Sequence, residues 1–108
     1  MRVLFDHGTP SGIRRSLAGH EVTEAIERGW DKISNGELLT RAEAEGFEVL
    51  LTTDKKIRYQ QNLKGRKIGI VVLGNSAWRM VQKHLDRIVE AVNAATPSCY
   101  IEVDIPFE

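Results

Sequence analysis

Short apolar runs alternate with amphipathic stretches from one end of this chain to the other, and that alternation narrows the fold to a mostly parallel α/β sheet. The runs cover residues 2 to 6, 48 to 53, 67 to 73 and 100 to 105. The first three are short, nearly continuous and rich in Val, Leu and Ile, the pattern of strands buried on both faces. Residues 21 to 26 are ambiguous: Val22 and Ile26 suit a strand, but Thr23, Glu24 and Ala25 do not alternate cleanly.

The intervening segments read as helices. Thr9 is placed to cap one that starts at Pro10, with Ile13 and Leu17 on one face and Gly19 as its stop. Asn35 to Glu45 is a second, with Leu38, Leu39 and Ala42 inward, and Ser34 with Glu37 fits a capping box. A short helix is expected after Asp54. The clearest runs from Ala77 to Ala94, where Trp78, Val81, Leu85, Ile88, Val89 and Val92 recur at helical spacing. No linker, internal repeat or low-complexity segment divides the 108 residues, so a single domain over 1–108 is expected.

Right-handed crossovers put every strand-to-helix turn on one edge of such a sheet, and ligands bind beyond the carboxyl ends of the strands. Two runs end there on an acid: Arg2-Val3-Leu4-Phe5-Asp6 and Glu48-Val49-Leu50-Leu51-Thr52-Thr53-Asp54. The Gly74-Asn75-Ser76 turn belongs to the same edge. Each acid has a structural explanation of its own. Asp6 can receive backbone donors from its turn, and Asp54 can cap the next helix. Together they crowd negative charge, which a cation between them relieves. Hard oxygen donors without cysteine suit Mg²⁺ or Mn²⁺, which act on phosphodiesters.

Formal net charge is zero, so local rather than global charge must attract any nucleic acid. Residues 55 to 67 supply it: Lys55, Lys56, Arg58, Lys64, Arg66 and Lys67 with no acid, and Tyr59, Gln60, Gln61 and Asn62 among them. Such a mixture can hold a phosphate backbone and stack a base, although a solvated helix face reads the same way. Arg58 lies one turn beyond Asp54 and is expected to point to the same edge. His7 can reach a phosphate or serve its own turn. Trp30 and Trp78 are expected to pack rather than to stack on a base. The single Cys99 excludes an internal disulfide and a cysteine-rich zinc site, and reads as a small buried hydrophobe in a strand. No apolar stretch spans a bilayer, and charges at Arg2 and Asp6 argue against a signal peptide. A cytoplasmic protein with no membrane partner is the expectation. Neither a P-loop, a dinucleotide fingerprint nor a nucleophile elbow is found.

Three stretches, Arg2-Val3-Leu4-Phe5-Asp6-His7-Gly8-Thr9-Pro10, Asn35-Gly36-Glu37-Leu38-Leu39 and Val49-Leu50-Leu51-Thr52-Thr53-Asp54, together resemble the PIN-like domains, in particular the short toxin-like branch related to VapC-type toxins. Ile57-Arg58-Tyr59-Gln60-Gln61-Asn62-Leu63 looks like the signature of one subgroup. The resemblance implies a three-layer α/β/α sandwich and a Mg²⁺- or Mn²⁺-dependent endoribonuclease, the toxin of a toxin–antitoxin pair, with RNA, an antitoxin protein and a second copy as partners. Matched residue by residue, it makes Asp6 and Asp54 metal ligands and Glu37 a ligand or water-positioning base. It has Asn35 orient water or phosphate, and assigns substrate contacts to Arg58, Tyr59, Gln61 and His7. Two positions depart from the pattern: Asn35 is neutral where an acid is usual, and Asn75 and Ser76 stand where a further acid is common. The alternative these departures open is a degenerate module that binds RNA or protein without cutting.

Overall fold

The apolar runs become strands β1 (Arg2–Phe5), β3 (Val49–Thr52), β4 (Gly69–Leu73) and β5 (Tyr100–Val103), and the ambiguous segment supplies β2 (Glu21–Glu24). They form one sheet in the order β2-β1-β3-β4-β5, with every neighbouring pair parallel. This is a computed structural model that describes residues 1–60, 63 and 65–107, with 59 and 60 described by their backbone alone. The subgroup-like Gln61 and Asn62, the Tyr59 side chain and Lys64 therefore lie outside the described residues.

Helices cover both faces. On one, Phe5, Leu51 and Val71 pack with Ile13 and Leu17 of a 3-10 helix (Ser11–Leu17) and with Ile88 and Val92 of a later helix. On the other, Leu4, Leu50 and Ile70 pack with Leu38, Leu39 and Ala42 of α1 (Asn35–Ala44) and with Ile57 of α2 (Ile57–Gln60). The result is three layers. Full burial of a leucine contributes about 2 kcal/mol, so the two faces of the central strands dominate what holds these layers together. No helix among the described residues is long and apolar enough to cross a membrane.

Several local expectations change. Thr9 does not cap the first helix; its buried hydroxyl donates to the Leu51 carbonyl at 3.1 Å, tying the turn after β1 to β3. The Ala77–Ala94 stretch is not one helix. It divides into α3 (Trp78–Val81), a 3-10 turn (Gln82–His84) and α4 (Leu85–Ala94), because His84 leaves helical geometry at φ −126° and ψ 24°. The Ser34–Glu37 box is half formed: the Ser34 hydroxyl accepts from the Glu37 amide at 3.2 Å, but the Glu37 carboxylate turns to Arg41. Cys99 precedes β5 and is half-buried, with Sγ against Gly69.

Candidate metal and nucleic-acid site

The strand order reverses direction between β1 and β3, where a parallel sheet opens a crevice at its carboxyl edge. Side chains alternate across a strand, so Asp6 continues the row of Leu4, and Thr52 that of Leu50. Both rows face α1. The register that pairs Phe5 with Leu51 then sets Asp6 beside Thr52.

A chain of hydrogen bonds runs through the crevice. The Thr52 hydroxyl donates to Asp6 Oδ2 at 2.7 Å and accepts from the Asp54 amide at 3.1 Å. Asn35, the first residue of α1, donates its amide nitrogen to Asp54 Oδ2 at 2.8 Å. The remaining oxygens take backbone donors: Asp6 Oδ1 from His7 at 2.8 Å, and Asp54 Oδ1 from Lys56 at 2.9 Å. Asp6 thus receives a backbone donor from its own turn, as its structural explanation has it, and Asp54 receives one from the turn that leads into α2. Every carboxylate oxygen accepts one of these bonds, and a carboxylate has about four acceptor sites, so both acids are oriented yet retain lone pairs.

Burial raises the Asp6 carboxyl above its ordinary range. The Thr52 hydroxyl and the His7 amide pull it back, and the negative charge of Asp54 adds to the rise. A cation between the two acids reverses that last contribution. The donor set fits Mg²⁺ or Mn²⁺: two carboxylates are the number through which Mg²⁺ is commonly held, with water and substrate phosphate completing its shell. Among the described residues, no group of three His, Cys, Asp or Glu side chains is arranged to hold a metal ion.

Other candidates distribute unevenly. The exposed Glu37 carboxylate lies 2.8 Å from Arg41 on its own helix, an engagement separate from the Asp6–Asp54 chain. Arg58, expected at the Asp54 edge, has contacts on β5: its guanidinium is 5.3 Å from the Tyr100 ring centroid and 3.8 Å from a Glu102 oxygen. Asn75 is buried and structural, accepting from the Ala77 amide at 3.0 Å and donating to the Pro106 carbonyl at 3.2 Å. The basic segment is split between the two edges of the sheet. Lys55 and Lys56 follow β3 at its carboxyl end and are exposed. Arg66 precedes β4 and is bound to Glu43 at 2.8 Å. His7 is exposed beside Asp6.

One acid escaped the sequence reading. Glu24, at the carboxyl end of β2, lines with Asp6, His7, Thr9 and Ile26 a crevice of ≈ 220 Å³. Its carboxylate accepts from Ser11 at 2.6 Å and pairs with Arg14 at 3.4 Å. The available signal was its place at the end of a possible strand. A second cleft of ≈ 410 Å³ lies on the other flank, lined by Lys55, Gly74, Glu102 and Asp104. Compared with known protein families, with curated proteins and with solved structures, the chain matches none.

Proposed function

We propose that this chain is a metal-dependent endoribonuclease of PIN-like type that cleaves RNA phosphodiesters, acting as the toxin of a toxin–antitoxin pair in the cytoplasm. The observation that carries the reading is the Thr52 bridge, which links Asp6 and Asp54 across the β1–β3 crevice. Two oriented carboxylates at a switch point, one of them already resisting ionisation, are a natural seat for a divalent cation. Mg²⁺ or Mn²⁺ held there supplies charge stabilisation for the phosphodiester and lowers the pKa of an attacking water. In this reading Asp6 and Asp54 are the ligands, and Asn35 holds Asp54 in orientation. His7, Lys55 and Lys56 surround the crevice with phosphate contacts, while Arg58 acts from β5. Glu37 contributes only on leaving Arg41.

The test is Asp6→Asn. Purified wild-type protein with Mn²⁺ is expected to cut a mixed-sequence RNA, and the variant to lose at least a hundredfold of that activity, on the scale of removing a principal catalytic group. Undiminished cleavage by the variant sinks the proposal.

The pairing of Glu37 with Arg41 favours a second reading, a module that binds RNA or a protein without cutting. Calorimetric titration with Mn²⁺ separates the two. A folded protein that takes up no metal at millimolar concentration is the binding module.

A further inference from the structure

Three large apolar side chains are exposed among the described residues, and all three lie on the carboxyl edge of the sheet. Ile26 (62% exposed) follows β2, Trp78 (41%) opens α3 after β4, and Phe107 (66%) follows β5. Burying an indole or a phenyl ring is worth several times burying a methyl group, so two open aromatics on one sheet edge point to something that covers them.

Both rings are held in position. The Trp78 indole lies flat enough on Gly12 that a Cβ there would come within 2.4 Å of the ring. Gly12 belongs to the segment that leaves Asp6. Phe107 lies beneath Lys55, whose Nζ is 4.9 Å from the ring centroid, and Lys55 is the residue after Asp54. The tail that carries Phe107 is pinned by buried Ile105 and by the Asn75 bond to Pro106. One aromatic is thus anchored on the chain beyond each acid.

We infer that Trp78 and Phe107 are base-stacking platforms for a single-stranded nucleic acid laid across the carboxyl edge, with the Lys55 ammonium meeting its phosphates. The chemistry selects this occupant. The Lys55 ammonium sits over Phe107, its neighbour Lys56 is exposed, and the two rings belong to different segments of this edge, one after β4 and one after β5. That arrangement suits bases spaced along a charged backbone better than the continuous apolar centre of a protein interface. A base offers its face only when unpaired, so the rings select single strands over duplex. The inference deepens the nuclease reading by naming what holds the substrate, yet it concerns binding and needs neither metal nor cleavage.

The experiment is a titration of the full chain, without divalent metal, with a mixed-sequence RNA oligonucleotide and with the same oligonucleotide annealed to its complement. Intrinsic fluorescence reports directly, because Trp30 is buried and Trp78 is the other of two tryptophans. The single strand is expected to quench Trp78 and to bind more tightly than the duplex. Trp78→Ala and Phe107→Ala are each expected to weaken binding about tenfold, and Trp78→Phe about twofold, since stacking on an aromatic is worth about 1–3 kcal/mol per base. Gly12→Ala leaves the indole present but pushes it off its seat, and is expected to weaken binding in the same direction with an unchanged circular dichroism spectrum. Equal affinity for single strand and duplex, no quenching, or alanine variants that bind like wild type overturn the inference. The last result, with Trp78 buried instead by an added protein, assigns the rings to a protein interface. Binding that follows these rules in a protein that never cuts RNA upholds the platforms and removes only the nuclease reading.

Discussion

A single hydroxyl organises the crevice. Thr52 is fully buried, and it spends its donor on Asp6 and accepts from the Asp54 amide, so Asp6 is held from the neighbouring strand and the turn that carries Asp54 is fixed by the same hydroxyl. Asn35 completes the chain with a donated hydrogen bond where a carboxylate would bring repulsion. Asn35→Asp therefore has opposite consequences with and without metal. Without divalent cation it deletes a donor and brings a third negative charge near Asp54, and a loss of about 1–3 kcal/mol in urea unfolding is expected. With Mn²⁺, the added carboxylate is expected to tighten binding about tenfold or more, which a calorimetric titration reads. Asp6 and Asp54 were legible from sequence because each ends an apolar run. Thr52 was not, because its role depends on the β1–β3 register, which the sequence of either strand alone does not specify.

At the level of elements, buried strands declared themselves and edge structure did not. β3 and β4 are buried along their whole lengths and read as apolar runs. β2 buries only Val22, because it has a neighbour on one side alone, and its pattern stayed ambiguous. With β2 unresolved, Glu24 at its end went unrecognised. The Ala77–Ala94 stretch kept helical spacing through a real break, since Val81, Ile88 and Val92 all remain on the core face across the 3-10 turn. Gly69 shows the converse, a constraint invisible in the sequence. It opens β4 against the turn that leads to β5, and a Cβ there would lie 2.7 Å from the Thr96 carbonyl and 2.9 Å from Cys99 Sγ. Gly69→Ala is expected to destabilise the fold by about 1–3 kcal/mol through overpacking, measured by urea denaturation. An unchanged midpoint would mean that the 96–99 turn yields freely.

For the molecule as a whole, the acids act on stability in opposite senses. Asp6, raised by burial and by Asp54, binds its proton more tightly folded than unfolded. Its ionisation therefore opposes folding: stability falls as pH climbs from the ordinary carboxylate range through the raised value. Glu43, which joins α1 to the start of β4, works the other way. Burial alone would raise it, but Arg66 and the Lys67 amide outweigh that and lower it. Its contribution is present above the ordinary carboxylate range and is lost on acidification through the lowered value. Without metal, Asp6→Asn is expected to gain on wild type in thermal stability as pH rises from the ordinary carboxylate range through the raised Asp6 value, and to keep that gain above it. A difference that shrinks as pH rises above the ordinary carboxylate range would contradict the raised Asp6 value.

The parallel order has a temporal corollary. β1 can join β3 only after a crossover of more than forty residues has been made, so the strands that bear the two acids are brought together by long-range closure. A nascent chain that ends before Val49 holds Asp6 without its Thr52 partner. Whatever chemistry the crevice performs waits on that closure.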